Sequence, residues 1–358
     1  METRSPWPVV TRAVLLLTVL VSVLLTAFAW PSVRSSVHDV PIAVAGPPPA
    51  VQQIRAALEE RLPGAFAITA VAGTAEAERL IHDREVYGAI DVSSGSPQVL
   101  TATAASATVA QTLQGVATAL GQAQAQAAGA GTNPGAATAN GAATVNGAGV
   151  AVRDIVSLPA DDPRGAGLAA GALPLVMGGM LAAVLLTRLV RGAGRRIAGA
   201  LAFAVTGGLA MAAILQFWLG SLDGAYLANA GAIALTVAAT SLTILGLESL
   251  LGYVGFGLGA VTMMLVGNPF SGTATAPEML PGWSGTLGQL MPPGAGGQLL
   301  RSTAFFGGDG SAHAVIVLTA WLAAGLVLCL AGAQRARRAA VTGPVAGGDV
   351  REAVPAGV

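Results

Sequence analysis

The sequence predicts a membrane protein: an all-α bundle of six transmembrane helices, with an α/β domain inserted between the first and second helix. Hydrophobic residues make up 53% of the chain and charged residues only 10%. A soluble domain has about 25% charged residues, so much of this surface does not face water. Several apolar runs reach the roughly 20 residues that cross a bilayer as a helix. One long stretch, residues 31–165, instead alternates short strand-like and helix-like segments.

The first apolar run, residues 13–30, follows Arg4 and Arg12 and is short for a full span. Two valines just before it extend the run, which favours a retained transmembrane anchor over residues 1–30. The tripeptide AFA at 27–29 also fits a signal-peptidase site, so cleavage of this segment as a signal is the alternative. In both cases the segment that follows is expected on the outer side.

Residues 31–165 are predicted to form an extracytoplasmic α/β domain. Apolar, β-branched runs indicate its strands, and segments with apolar residues at helical spacing indicate its helices. The expected order is strand, helix, strand, helix, strand, strand, helix, strand. A Gly/Ala-rich stretch at about 128–149 has the composition of a flexible loop before the last strand. The segments are, in order, 40–45, 48–62, 65–72, 74–84, 86–92, 98–103, 105–127 and 150–158.

Residues 166–333 are predicted to contain five further transmembrane helices, followed by a cytoplasmic tail at 334–358. The apolar stretch 227–267 is too long for one span and carries a single charge, Glu248, near its middle. A carboxylate is costly at mid-bilayer, so we expect two spans of about 20 residues joined by a tight turn at Glu248. The other spans are expected at 168–187, 197–219 and 313–332.

The placement of arginine predicts the orientation in the membrane. The loop between the second and third spans and the tail both carry arginines, whereas the loop at 220–226 carries none. By the positive-inside rule, both termini are expected in the cytoplasm and the α/β domain outside, in a multi-pass protein of the cell membrane. The arginines concerned are Arg188, Arg191, Arg195 and Arg196 in the loop, and Arg335, Arg337 and Arg338 in the tail.

The sequence offers no pattern that predicts an enzyme. Every basic residue other than His is Arg, and the P-loop of an ATPase requires Lys, so the chain is expected to lack an ATPase of its own. The three His residues lie in separate segments and Cys329 is the single cysteine, so no metal or cofactor is predicted. The net charge of zero gives nucleic-acid binding no electrostatic support.

The segment 268–311, between the last two expected spans, is predicted to be a structured hairpin at the outer membrane surface. Proline stops helices and fixes turns. The apolar pieces between the prolines are too short to span but suit the membrane interface. The hairpin either caps the bundle or forms an exit-side lid over a substrate path. Its candidate residues are Asn268, Pro269, Ser271, Trp283, Pro292, Pro293 and Arg301.

Three stretches of the sequence resemble motifs of one known family. The stretch DREVYGAI at 83–90 resembles an outer-domain element, and LPADDPRGAGLAAGALPLVMGG at 158–179 resembles an entry into a second span. The series NPFSG at 268–272, PEML at 277–280 and QLMPPGAGGQLLR at 289–301 resembles a last outer loop and is the most specific. Together they resemble the ABC-2-type permeases, in particular the branch that includes the phage infection protein. The resemblance covers nearly the whole chain.

The resemblance implies a permease subunit of an export system, with the substrate left open and with no ATPase of its own. It implies a homodimer or heterodimer through the membrane region, within the lipid bilayer, and a separate ATPase subunit. Gly255 and Gly259 form a GxxxG pair that would pack either inside one bundle or across such a dimer. The cytoplasmic residues that could contact the ATPase are Arg188, Arg191, Arg195, Arg196 and Glu248.

A second hypothesis is a non-transporting envelope protein, either a secretion accessory or a surface or phage receptor, that uses its outer domain as a binding module. The segment before the first span has only about a dozen residues, and the loop around Arg191 is short. In ABC-2 exporters the corresponding regions are longer and dock on the ATPase. Their shortness here argues against coupling to an ATPase.

Overall fold

The computed structural model describes residues 6–127 and 150–342. The loop expected at 128–149 and the part of the expected tail beyond residue 342 lie outside the described residues. The chain begins with helix α1 (Trp7–Arg34), which continues through residues 27–29 without a break. Its apolar side chains are exposed along nearly the whole helix, as expected for a segment in contact with lipid.

The α/β domain follows α1 and has the predicted order of elements, which the structure confirms. Its five strands form one mixed sheet in the order β2-β1-β3-β4-β5. The pairs β1–β2, β1–β3 and β4–β5 are parallel, and β3–β4 is antiparallel. The elements are β1 (Val40–Ala45), α2 (Pro48–Arg61), β2 (Phe66–Val71), α3 (Thr74–His82), β3 (Gly88–Asp91), β4 (Gln98–Thr101), α4 (Ala107–Ala127) and β5 (Ala151–Asp154).

The connections of this sheet place helices on both of its faces. The chain moves from β1 to the edge strand β2 and then back past β1 to β3, so two right-handed crossovers put α2 and α3 on opposite faces. Alternate residues of β1 accordingly face two cores: Ile42 and Val44 pack with α2 and α4, whereas Ala43 and Ala45 pack with α3. The domain therefore has an apolar core on each side of its sheet.

Asp91 fixes the carboxyl end of β3, where the two crossovers diverge. Its carboxylate is fully buried and accepts hydrogen bonds from Thr74, from Ser93 and from Gln98. Burial alone would raise the pKa of Asp91, but the hydrogen bonds from Ser93, Thr74 and Gln98 together lower it below its usual value. The charged carboxylate is thus part of the folded structure.

We predict that the contribution of Asp91 to stability is lost in acid. Because its folded pKa lies below its unfolded pKa of about 3.9, this contribution is present above pH 4 and disappears as the pH falls through the folded pKa. Asp91→Ala should lower the free energy of unfolding at neutral pH by about 2 kcal/mol, since a buried charged acceptor of hydrogen bonds from Thr74, Ser93 and Gln98 is lost. Unfolding followed by circular dichroism at pH 7 and pH 3 measures both effects. An equal loss at the two pH values would contradict the prediction.

The remaining helices form the helical region, in which five helices of the described chain, α1 included, are long and apolar enough to cross a membrane. Helices α6 and α8 each end in a π-helical turn. After the domain come α5 (Ala166–Leu189), α6 (Ala193–Trp218), α7 (Tyr226–Leu251), α8 (Tyr253–Gly267), α9 (Ser284–Gln289), α10 (Pro292–Phe305) and α11 (Ala312–Thr342).

The expected pair of spans in residues 227–267 is only partly right. Helix α7 continues past Glu248 to Leu251 and takes 26 residues, which leaves 15 for α8. Gly252 separates the two helices with a φ of +63°, a conformation that favours glycine. At 1.5 Å per residue, α8 is roughly 22 Å long, short of the roughly 30 Å hydrocarbon layer. Within the described residues, five long helices and one short apolar helix therefore replace the six predicted spans.

Helix α7 is the centre of the helical region and packs against α5, α6, α10 and α11. Most of its side chains are buried, and many of them are small or carry a hydroxyl, which lets neighbouring backbones approach closely. Gly255 and Gly259 of α8 also face α7, since a Cβ at either position would crowd Leu247 or Ile244. The GxxxG pair therefore packs within one chain.

The two ends of the helical region differ in chemistry. The end that carries the α5–α6 loop, the last turn of α7 and the late turns of α11 is called the basic end here, because arginines cluster there. The opposite end, where α5 begins and the α/β domain attaches, is called the domain end. These names describe the molecule and not its sidedness in a membrane.

Candidate functional site

Four of the five predicted coupling residues line one cavity of about 780 Å³ at the basic end. The short loop from α5 to α6 supplies Arg191, and the first turn of α6 supplies Arg195 and Arg196. Glu248 enters from the last turn of α7, and α11 adds Arg337, which the sequence prediction placed in the tail. Helix ends that are distant in sequence thus converge on one basic cavity.

The fifth predicted coupling residue, Arg188, lies outside this cavity. Its guanidinium lies over the ring of Tyr253, at 5.4 Å from the ring centroid. Such a cation–π contact holds the start of α8 against the end of α5. We therefore interpret Arg188 as a packing residue, suited to serve as a control for the cavity arginines.

Charges in the cavity are unevenly paired. Arg196 donates hydrogen bonds to the carbonyl oxygens of Val190 and Thr187 and forms the cavity's ion pair with Glu248, at 3.3 Å. The exposed Arg191, Arg195 and Arg337 have no carboxylate within 4.0 Å in the described part of the chain. Three guanidinium groups are therefore available to an acidic surface or a phosphate.

The expected hairpin at 268–311 is structured, but the structure corrects its position. Helix α10 is inserted among α5, α7 and α11, and most of its side chains are buried. Gly296 lies against Thr236, which is ten residues into α7, roughly 15 Å from the domain end at 1.5 Å per residue. Trp321 of α11 donates its indole N–H to the carbonyl of Leu290, at 2.7 Å. Helix α10, the longest helix of the segment, is thus inserted among the long helices instead of lying on their surface.

The predicted hairpin residues fall into separate places. Pro292 and Pro293 open α10 and are buried, consistent with the preference of proline for the first helical turn. Trp283 is 66% exposed and forms a T-shaped contact with the ring of Phe270. Arg301 is buried in α10. A cavity of about 310 Å³ between α1, α5 and this segment is lined by Asn268, Pro269 and Ser271.

Arg84 connects the α/β domain to α10. Its guanidinium donates to the carbonyl and side-chain oxygens of Gln298 and to the hydroxyl of Ser302. It also lies 5.1 Å from the ring centroid of Phe306. The backbone of Arg84 has a φ of +62°, which is unfavourable for any residue but glycine. The strained turn after α3 aims this side chain at α10.

A second contact, beside the first, ties the domain to the segment before α9. The Tyr87 hydroxyl donates to Glu278 at 2.8 Å. Burial raises the pKa of Tyr87, and the Glu278 carboxylate raises it further, so the phenol remains a donor. Ser36, just after α1, donates its amide to the carbonyl of Met279. The domain, the inserted segment and the end of α1 are thereby joined.

Arg301 is the most isolated charge of this region. It is 6% exposed, and its guanidinium donates to the carbonyl of Thr273 at 2.9 Å. Its Nε has no hydrogen-bond partner, and no carboxylate lies within 4.0 Å of the group among the described residues. A buried cation without an acidic partner is unfavourable for folding, which indicates a functional role.

The joint between the domain and α10 uses residues that the sequence reasoning did not single out as a site. Arg84 and Tyr87 belong to the stretch DREVYGAI, and Gln298 and Ser302 lie in or next to the stretch that ends the last loop series. Two of the three stretches that carry the family resemblance therefore meet in space. The sequence alone does not predict this contact, because three stretches share the resemblance and nothing in them indicates which two meet.

Comparison of this chain with protein-family models, with curated proteins and with solved structures found no match.

Proposed function

We propose that this chain is the membrane subunit of an ABC-2-like export system that obtains its ATPase from a separate chain. The observation that supports this function best is the basic cavity, in which Arg191, Arg195 and Arg337 lack acidic partners within the described chain. Complementary charge guides a partner to such a surface and fixes its register. The sequence resemblance to ABC-2 permeases points to the same role.

A continuous set of contacts could carry a movement from the cavity to the α/β domain. Glu248 of α7 lines the cavity, α7 packs along α10, and α10 holds Arg84 of the domain. Packed helices and hydrogen bonds of this kind are the physical elements through which distant sites are coupled. In this proposal the basic end faces the cytoplasm, the domain lies outside, and two copies or two related chains pair through the membrane region.

The proposal predicts a nucleotide-binding neighbour at the basic end alone. A photo-crosslinking amino acid placed at position 195 in cells should capture a protein that a photoreactive ATP analogue also labels. The same group at exposed Trp218, at the other end of α6, should not. In the protein with the crosslinker at position 195, changing Arg191 and Arg337 to Glu should reduce the captured amount by about tenfold or more, since close like charges cost several kcal/mol. Arg188→Glu is the matched control outside the cavity.

Two results would count against the export proposal. Capture of a protein that does not bind ATP would favour the non-transporting alternative. Equal capture from positions 195 and 218 would remove the basic cavity as a docking site. The alternative has an observation of its own: a groove of about 620 Å³ between α2 and α4, which suits a domain that binds a ligand.

A further inference from the structure

The groove of the α/β domain lies between α2 and α4 above the sheet. Its volume, about 620 Å³, falls in the usual range of roughly 300–1,000 Å³ for small-molecule sites. Ile90 of β3 forms a fully buried floor, and Leu58 and Val116 form largely buried walls. Every residue that lines it is described, so the groove is formed by folded helices and a strand.

The groove is long and narrow. Its lining runs along α2 from residue 53 to Leu62, which directly follows the helix, and along α4 from 112 to 123, roughly 14 and 17 Å at 1.5 Å per residue. Small residues open it: Ala57 on one side, and Gly115 and Ala119 on the other. A Cβ added at Gly115 would have no atom within 4 Å. This shape fits an extended apolar chain better than a compact ring system.

The walls are apolar, and the polar groups stand on the rim. Arg61, in the last turn of α2, is exposed, and its guanidinium makes no hydrogen bond or ion pair in the described part of the chain. Gln53 is two turns away, towards the start of the same helix. The two acidic residues beside Arg61 are Glu59 and Glu60, and neither of them lines the groove. The Glu59 carboxylate accepts a hydrogen bond from the Gly64 amide at 3.3 Å. One end of an apolar channel thus offers an unpaired cation.

We infer that this groove binds an anionic amphiphile with a single acyl chain in the channel and its acidic head at Arg61. Burial of apolar surface provides the free energy of binding, and the guanidinium selects a carboxylate or phosphate and sets the direction of the chain. A free fatty acid and a phospholipid share this chemistry. The inference concerns the ligand of the domain and does not depend on coupling to an ATPase.

The test uses the full chain in lipid nanodiscs and three photoreactive probes. These are palmitate with a diazirine in its chain, the corresponding fatty alcohol, and phosphatidic acid with the diazirine in one chain. Mass spectrometry should map the palmitate label to peptides of α2 and α4, in excess of the label on the exposed face of β2. Labelling by phosphatidic acid as well identifies a phospholipid as the source, and labelling by palmitate alone identifies a free acid.

Three variants test the geometry. Gly115→Leu fills the channel, so labelling of α2 and α4 should fall about tenfold, the effect of removing roughly two methylenes from burial. Thr118→Leu, on the same helix but outside the lining, should label like the natural chain. Arg61→Gln should weaken labelling by palmitate several-fold and leave labelling by the alcohol unchanged.

The amount of label on the membrane helices serves as an internal reference for the amount of label on α2 and α4, because none of these substitutions lies in α5 or α7. Gly115→Leu should fold, since its side chain has space and leucine favours helix over glycine. Circular dichroism and thermal unfolding confirm that it does. The inference is overturned if label on α2 and α4 does not exceed that on β2, or if a folded Gly115→Leu retains it.

Discussion

Arg84→Ala is expected to release the α/β domain from α10 and to lower the free energy of unfolding by about 3 kcal/mol. The guanidinium contacts both oxygens of Gln298 and the hydroxyl of Ser302, and its loss leaves the buried Ser302 and the half-buried Gln298 without this donor. The cation–π contact with Phe306 is lost as well. Thermal unfolding in mild detergent measures the stability, and hydrogen exchange of the α10 amides measures the release.

Two further substitutions at this position separate the side chain from the backbone. Arg84→Gly loses the same contacts but removes the strain of a φ of +62°, so it should be less destabilising than Ala by about 1 kcal/mol. Arg84→Lys keeps the charge but not the planar fork, and should lie between Ala and the natural residue. Unchanged exchange in α10 for all three variants would contradict a joint at Arg84.

The α/β domain was predictable because its elements are short and their patterns are local. Val40–Ala45 and Phe66–Val71 are apolar, partly β-branched runs, and the segments after them place apolar residues at helical spacing. Pairing is different, because it depends on contacts between distant residues. The order β2-β1-β3-β4-β5 and the antiparallel β4 required the structure.

The helices of the membrane region were harder to predict, because hydropathy gives the length of an apolar stretch but not the residue at which one helix ends and the next begins. Forty apolar residues around Glu248 fit two equal spans, whereas the break at Gly252 divides them into 26 and 15. The burial of α10 was not predicted for a similar reason, because composition alone does not show how a segment packs. Its glycines, which let it approach α7 and the preceding loop, look in sequence like a surface turn. Composition does not distinguish a glycine for turning from a glycine for packing.

The basic cavity was predictable from local features of the sequence, whereas the contact between the α/β domain and α10 was not. Arg191, Arg195, Arg196 and Glu248 were singled out together because each lies at an end of an expected span, and helix ends on one side of a membrane are neighbours. The contact of Arg84 with Ser302 joins residues 218 positions apart. No periodicity or local motif predicts such a contact from one sequence.

Arg301→Met is expected to stabilise the folded chain, although it deletes a charged side chain from a hydrogen bond. The guanidinium is 6% exposed, lacks a carboxylate partner in the described residues, and experiences the like charge of Arg84. Burying such an ion costs several kcal/mol, whereas methionine fills a similar volume without a charge. The lost bond to Thr273 costs about 1 kcal/mol, so a net gain of about 1 to 2 kcal/mol is expected.

The comparison with Arg301→Ala decides whether charge or volume dominates. Alanine removes the same charge but leaves a cavity among the buried residues of α10, so this variant should be less stable than Met by about 2 to 4 kcal/mol. Thermal unfolding of both variants beside the natural chain gives the order. If Met is as destabilising as Ala, the guanidinium is a structural tie to Thr273. If Met is more stable while capture of the ATP-binding partner at position 195 is lost, the buried charge is retained for communication between the two ends of the helical region.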